Sequence, residues 1–331
     1  MRSMSICFHL LLALVALSMF AGPARAASSP LIDDWELTIP GGGAGWLGVV
    51  EKDGKLSASI LWGGGSVVPV DSVKVEGDAL IVTRTNKAKD GVVTETITAH
   101  AAGDDLALTT LKTRPDGSTF GKADFIGKRS PAMPPAPDLS KVKFGDPITL
   151  FNGKDLTGWK LTNPKATNGW CVVDGVLHNE VPPHEPGKPH ASYGNLRTEQ
   201  EFEDFHLTLE TNLPKNGNSG VYIRGIYECQ VLDSYGKPVD PHNMGAIYSR
   251  ICPLVAVEKP AGEWQTMDIT YVDRHVTVIL NGTKIIDNQP IPGCTGGALW
   301  SDVLRPGPIY LQGDHTGANF RNIVLRPVVK N

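Results

Sequence analysis

The sequence predicts an all-β chain, a small antiparallel β-barrel or sandwich followed by a larger two-sheet jelly roll. Three observations carry this. Short runs of strand-forming residues recur about every 10 residues between Gly-rich turns. Phe205-His206-Leu207-Thr208-Leu209-Glu210 alternates with the period of two that a half-buried strand needs. No apolar pattern of helical period lasts beyond a turn or two, so strands must supply the core.

The first 26 residues stand apart from this pattern. Arg2, the apolar run from Cys7 to Phe20 and the small-residue site Ala24-Arg25-Ala26 predict a cleaved signal peptide over 1–26. The run is short for a membrane span. The protein is therefore expected to be exported, to the periplasm or the exterior. Losing Arg2 and Arg25 takes Lys+Arg from 31 to 29 against 35 Asp+Glu, a net charge of −6. With no basic stripe, nucleic acid and anionic membrane surfaces are excluded as partners. Cys171, Cys229, Cys252 and Cys294 remain; they allow two disulfides in three pairings, or four inert thiols. No C-x-x-C spacing points to zinc.

Residues 30–128 read as a small all-β domain. Trp35-Glu36-Leu37-Thr38-Ile39 stops at Pro40 and Gly41-Gly42-Gly43, and Leu56 to Trp62 stops at Gly63-Gly64-Gly65. Val73 to Thr85 turns at Glu76-Gly77-Asp78, and Val92 to Thr98 precedes Asp105 to Thr109. Neither Gly triplet has the Lys-Ser/Thr ending of a phosphate loop, so both are expected to be turns. No catalytic constellation is visible here, and binding or support is the expected role. Residues 129–145, with Pro131, Pro134, Pro135 and Pro137, favour extended polyproline structure and mark the boundary. Residues 146–329 are again nearly all strand. His275 to Leu280 leads through Asn281-Gly282 into Lys284-Ile285-Ile286, a strong hairpin signal. The Pro- and His-containing stretch from Val181 to His190 is expected to be a loop bordering a cleft.

Asn218 to Asp233 draws most attention. It reads as two strands broken near Gly225, with Val221 and Ile223 on one face and Tyr222 and Arg224 on the other. In the second strand Cys229 and Val231 share a face opposite Glu228 and Gln230. The polar face is expected to be solvated and to hold a cation, a carboxylate and an amide together, groups that grip polyhydroxylated ligands. The plainer alternative is a cross-strand Arg224–Glu228 pair stabilising the sheet.

Several segments resemble one family. Leu150-Phe151-Asn152-Gly153-Lys154-Asp155-Leu156-Thr157-Gly158-Trp159 is similar to the opening of the 3-keto-disaccharide hydrolase domain, once called domain of unknown function 1080. Asn218-Ser219-Gly220 with Arg224, Tyr227-Glu228-x-Gln230-x-Leu232-Asp233 and Gly245-Ala246-Ile247-Tyr248 follow in order. So do Gly262-Glu263-Trp264-Gln265, Leu280-Asn281-Gly282, Ile309-x-Leu311-Gln312 and Phe320-Arg321-Asn322-Ile323. Gln265 departs from the Asn common in the family. The resemblance covers about 146–328 and leaves the first domain unassigned.

The resemblance implies a concanavalin-like jelly roll that cleaves sugars already oxidised at C3. A C3 ketone acidifies the C2 proton, so one base can start an elimination, and water can then complete a net hydrolysis. Glu228 is the candidate base and Asp233 the second choice. Arg224 is the candidate oxyanion holder, and His315 the proton donor or a metal ligand. Gln230, Gln312, Tyr222, Tyr248 and Asn218 are candidate contacts to sugar hydroxyls. No spacing requires a cofactor, although a divalent metal fits the residue types. His242 in Asp240-Pro241-His242 has weaker support. The substrate partner is an oxidised oligosaccharide or glycoside.

Two other functions fit the residues. One is non-catalytic carbohydrate binding, which exposed aromatics in a row would favour. The other is a glucanase, since Glu228-x-Gln230-x-x-Asp233 echoes a paired-carboxylate strand motif. Asp233 lies at an odd offset from Glu228, so that reading needs a bulge to bring both carboxylates to one face.

Overall fold

The computed structural model describes residues 29–89, 91–182 and 193–330. The expected signal peptide and most of the Val181–His190 loop lie outside them. The described residues contain no helix; twenty-two strands form three antiparallel sheets.

The first sheet holds β1 (Asp34–Thr38), β2 (Ala44–Lys52), β3 (Lys55–Trp62), β4 (Val68–Pro69), β5 (Ser72–Glu76), β6 (Ala79–Ala88), β7 (Gly91–Ala102), β8 (Asp105–Thr113) and β9 (Thr119–Arg129). Each strand follows its neighbour in an up-and-down meander, and β9 returns to pair with β1. Only Val70 and Asp71 separate β4, paired with β3, from β5, paired with β6. One bent ribbon therefore closes the meander into a barrel. Trp35, Leu37, Leu47, Ile60, Leu80, Val82, Ile97 and Leu108 fill its interior. The sequence missed β2 and β9 because glycines at Gly45, Gly48, Gly121 and Gly127 dilute their apolar pattern.

The second unit begins with β10 (Ile148–Thr149), β11 (Trp159–Leu161), β12 (Trp170–Val173), β13 (Val176–Asn179), β14 (Leu196–Thr198), β15 (Phe205–Asn212) and β16 (Asn218–Ile223). It continues with β17 (Tyr227–Leu232), β18 (Gln265–Val272), β19 (His275–Leu280), β20 (Thr283–Pro290), β21 (Tyr310–Leu311) and β22 (Ala318–Pro327). An eight-stranded sheet runs β12-β13-β22-β15-β18-β19-β20, with β10 beside β22. A five-stranded sheet runs β11-β14-β21-β16-β17. This is the two-sheet, concanavalin-like jelly roll. Phe205, Leu207 and Leu209 of β15 are buried and alternate with partly exposed His206, Thr208 and Glu210, as the sequence pattern requires. Each such fully buried side chain stabilises the fold by about 1.5–3 kcal/mol. Asn281 and Gly282 both have positive φ, the geometry of the tight hairpin turn joining β19 to β20.

The two units are joined along a broad seam. Ala44, Trp46 and Leu61 of the barrel pack into the jelly-roll core. The Arg250 guanidinium lies 4.4 Å from the Trp46 ring centre. The Pro-rich segment crosses from one unit to the other without entering a sheet: Arg274 donates to the Pro131 carbonyl at 2.6 Å and Asn288 to the Pro137 carbonyl at 3.0 Å. All four cysteines among the described residues are free thiols, Cys229 and Cys294 buried, Cys171 and Cys252 exposed. Of the two arrangements the sequence left open, the structure has the free thiols.

Candidate functional site

Register on the five-stranded sheet builds the site. In β16 and β17, Tyr222 sits opposite Glu228 and Gly220 opposite Gln230. In β21, Tyr310 sits opposite Tyr222, and the Gln312 amide donates to the Gly220 carbonyl at 2.9 Å. Two rows thus cross one face of the sheet, Tyr310-Tyr222-Glu228 and Gln312-Gly220-Gln230. Val221, Cys229, Val231 and Leu311 point the other way, into the core. Gly220 is the gap in the second row. A Cβ there would collide with the Glu228 carboxyl, so glycine is what lets that side chain fold over the floor.

The face is not solvated, contrary to what the alternation implied. Tyr222, Glu228, Gln230 and Gln312 are all buried, because other segments arch over the sheet. Gly296 and Gly297 cover it from one side and Tyr248 from another. A cavity of about 240 Å³ remains, lined by Glu228, Gln230, Tyr222, Tyr310, Gln312 and Asn218 together with Asn195, Tyr248, Asp314 and His315.

Glu228 is anchored at its backbone and strained electrostatically at its tip. Its amide donates to Thr295 Oγ1 at 2.8 Å, and Thr295 Oγ1 in turn donates to the Ile226 carbonyl at 3.2 Å. Its Oε2 lies 3.0 Å from the Tyr222 hydroxyl, which also reaches the Gly296 carbonyl at 2.7 Å. One phenol proton cannot serve both acceptors. A protonated Glu228 resolves this by donating to Tyr222 while Tyr222 donates to Gly296. Burial pushes Glu228 up to about 8, against the lowering effects of the Tyr222 hydrogen bond and of His315. Tyr222 and Tyr310 are themselves pushed well above the usual phenol range, first by burial. Their rings stack 3.8 Å apart, each covering one face of the other.

His315 is oriented by its neighbour. Its Nδ1 lies 2.7 Å from Asp314 Oδ1, and this hydrogen bond raises its pKa against the opposing effect of burial. Gln312 Oε1 is a buried acceptor without a partner, which a ligand hydroxyl can satisfy. Among the described residues no three His, Cys, Asp or Glu side chains gather as a metal site needs.

Two expected site residues are elsewhere. Arg224 is in the hairpin loop, not the strand, with φ of 55° next to Gly225 at 70°. That left-handed turn breaks the alternation and sends the guanidinium into the interior. There it donates to the Tyr271 hydroxyl at 2.9 Å and the Arg305 carbonyl at 2.5 Å. It neither pairs with Glu228 nor faces the cavity. Asp233 lies past the last β16–β17 pair, Asn218 with Leu232, and accepts from the Asn216 amide at 2.8 Å. The register from Asn218 to Ile223 is unbroken, so no bulge brings Asp233 beside Glu228. Paired carboxylates on this strand, the requirement of the glucanase reading, are absent.

Sequence reasoning missed Tyr310, Asn195, Asp314 and the glycine segments of the cavity wall. Tyr310 had a signal, since it lies two residues from Gln312 in one strand run and so shares its face. The others come from loops, whose placement no periodicity reveals.

Against known proteins, the family model described as a 3-keto-alpha-glucoside-1,2-lyase-like domain matches residues 146–326. A curated 3-keto-disaccharide hydrolase of Bacteroides thetaiotaomicron is 24% identical over 185 residues, 48% of this chain and 62% of the relative. The chain thus spans less than two thirds of that relative's length. A Parabacteroides distasonis structure put forward as a glycosyl hydrolase shares 33% identity, covering 60% of this chain and 94% of that one with a TM-score of 0.44. The carbohydrate-binding module CBM66 of Bacillus subtilis shares 14% identity, covering 51% and 95%, with a TM-score of 0.33.

Proposed function

Because the chain belongs to the 3-keto-alpha-glucoside-1,2-lyase-like domain family, we propose that it cleaves glycosides of sugars oxidised at C3, with Glu228 as the base. The observation that carries this is a buried carboxyl, near pKa 8, that touches no cation among the described residues and opens onto a sugar-sized cavity. A base of that strength is better matched to a weakly acidic C–H than an ordinary carboxylate is.

Glu228 takes the C2 proton, and the C2–H electron pair forms an enolate with the C3 oxygen. Collapse of the enolate restores the ketone, forms a C1–C2 double bond and breaks the bond from C1 to the leaving oxygen. His315, held through Nδ1 by Asp314, gives that oxygen its proton. Water added across the double bond completes net hydrolysis. Gln230, Gln312 and Asn218 hold hydroxyls, and with Arg224 elsewhere the enolate oxygen falls to these amides and Tyr248. Export after cleavage near Ala26 belongs to the same proposal and rests on the N-terminal sequence.

The test is aglycone release from a 3-keto-glucoside and from its unoxidised parent, for wild type and Glu228→Gln, with and without chelator. Release from the keto-sugar alone, lost in the variant, supports the reading. Release from both sugars contradicts it, and binding without release makes the protein a carbohydrate-binding module. Loss of activity with chelator brings a divalent ion into the site.

A further inference from the structure

The matched family domain starts at residue 146, yet the cavity is not made by that domain alone. Gly64 and Gly65, in the barrel turn between β3 and β4, line it together with Glu228. Gly65 packs so tightly on Gly296 that a Cβ on Gly296 would collide with the Gly65 carbonyl. Gly296 is also the residue whose carbonyl holds the Tyr222 hydroxyl. The barrel turn is therefore three contacts away from the Glu228 carboxyl, through Gly296 and Tyr222.

The turn is pinned where it stands. Ser66 Oγ lies 2.9 Å from His242 Nε2, and His242 Nδ1 lies 2.6 Å from Asp240 Oδ1. Asp240 fixes the tautomer: Nδ1 carries the proton, and Nε2 accepts from Ser66. The Ser66 hydroxyl is also 3.4 Å from that of Tyr248, a cavity residue. The Val67 amide donates to Ser249 Oγ at 2.6 Å. Serine, histidine and aspartate here have the order of a nucleophile, base and orienter. Asp240 is more than half exposed, however, and Ser66 does not line the cavity, so the array serves to hold the joint.

We propose that Gly64 and Gly65 of the barrel turn, held in place by Ser66, form a specificity-determining wall of the sugar cavity that limits the size of the group carried by the oxidised ring. This rests on the function proposed above and assigns the first domain a part in it. The cavity, about 240 Å³, is edged by exposed Gly64, Gly65, Asp314 and His315, so the barrel turn stands where a second group on the bound ring would lie. Bare glycine keeps that space open. A Cβ at Gly64 meets nothing within 4 Å, and Gly64 lacks the left-handed φ of Gly63 and Gly65. Gly64 is exposed, so a side chain there costs the fold little and adds bulk beside the cavity it lines.

Full-length Gly64→Phe, Gly64→Ala and Ser66→Ala would be compared with wild type on a 3-keto-disaccharide and on the smaller methyl 3-keto-glucoside. The expected result is a KM for the disaccharide raised about tenfold or more in Gly64→Phe, with kcat and melting temperature nearly unchanged. The rise is smaller for the methyl glycoside, and smaller in Gly64→Ala than in Gly64→Phe. Should Gly64→Phe fail to fold, Ser66→Ala carries the test, with a raised disaccharide KM and retained kcat. A folded Gly64→Phe with wild-type KM on both sugars, or in its place a Ser66→Ala with wild-type KM, overturns this wall while leaving the proposed function standing. Wild type that cleaves neither keto-sugar overturns the proposed function, and the wall with it.

Discussion

Each of the two units buries a carboxylate, and the two are treated in opposite ways. Glu95 in the barrel is 1% exposed and ion-paired: Arg84 Nε lies 2.9 Å away, Lys112 Nζ 3.9 Å, and the Thr110 hydroxyl donates to it at 2.8 Å. Glu228 in the jelly roll is 4% exposed and has a tyrosine hydroxyl instead of a salt-bridge partner. A buried charge is normally paired or neutralised. Glu95 is paired. Glu228 is neutralised, holding its proton to about pH 8 because burial disfavours the carboxylate. The first arrangement serves the fold; on the proposed function the second keeps a base ready at the expense of the fold.

The contrast can be broken by mutation. Glu228→Gln is expected to lower kcat/KM on a keto-glycoside by about 10³-fold, whereas Glu95→Gln leaves it within about twofold per folded molecule. Steady-state kinetics on both variants checks this.

The same pair diverges in stability. Glu228 titrates near 4.5 unfolded and about 8 folded, so between those values the unfolded state binds fewer protons and stability falls as pH rises. Glu228→Gln escapes that loss. It should match wild type near pH 4.5 and exceed it by a margin that grows to about 3–5 kcal/mol at pH 8. Denaturant melts across that range measure the margin. Glu95→Gln instead loses about 2 kcal/mol, since it strands Arg84 beside a neutral amide.

On the proposed function Glu228 works in its ionised form, so the rate should rise with pH from 6 towards 8. It should fall again where His315, raised by Asp314, loses its proton. A flat profile over that range breaks the comparison. The smallest effect on catalysis is expected at Arg224. Arg224→Met removes bonds to Tyr271 and Arg305 and lowers the melting temperature by several degrees, with KM unchanged.

Much of this was legible from residues alone. The alternation in β15, the Asn281-Gly282 turn and the shared face of Glu228 and Gln230 are local, and local rules place them. Arg224 was not legible, because strand parity assumes extended backbone and the loop sets its φ positive. The burial of the Glu228 face was also invisible. It depends on Gly296, Tyr248 and the barrel turn arriving from distant parts of the chain, which no period in the sequence encodes. Gly63-Gly64-Gly65 was correctly a turn, but its meeting with the cavity is a tertiary fact.

The most direct test of Glu228 as the base follows the C2 hydrogen. A 3-keto-glucoside carrying deuterium at C2 would be cleaved alongside the protiated compound at a pH above 8, with wild type and with Glu228→Gln. Slower cleavage of the deuterated sugar by wild type, and loss of turnover in the variant, is the predicted result. Equal rates for both isotopologues, with the variant fully active, would contradict it.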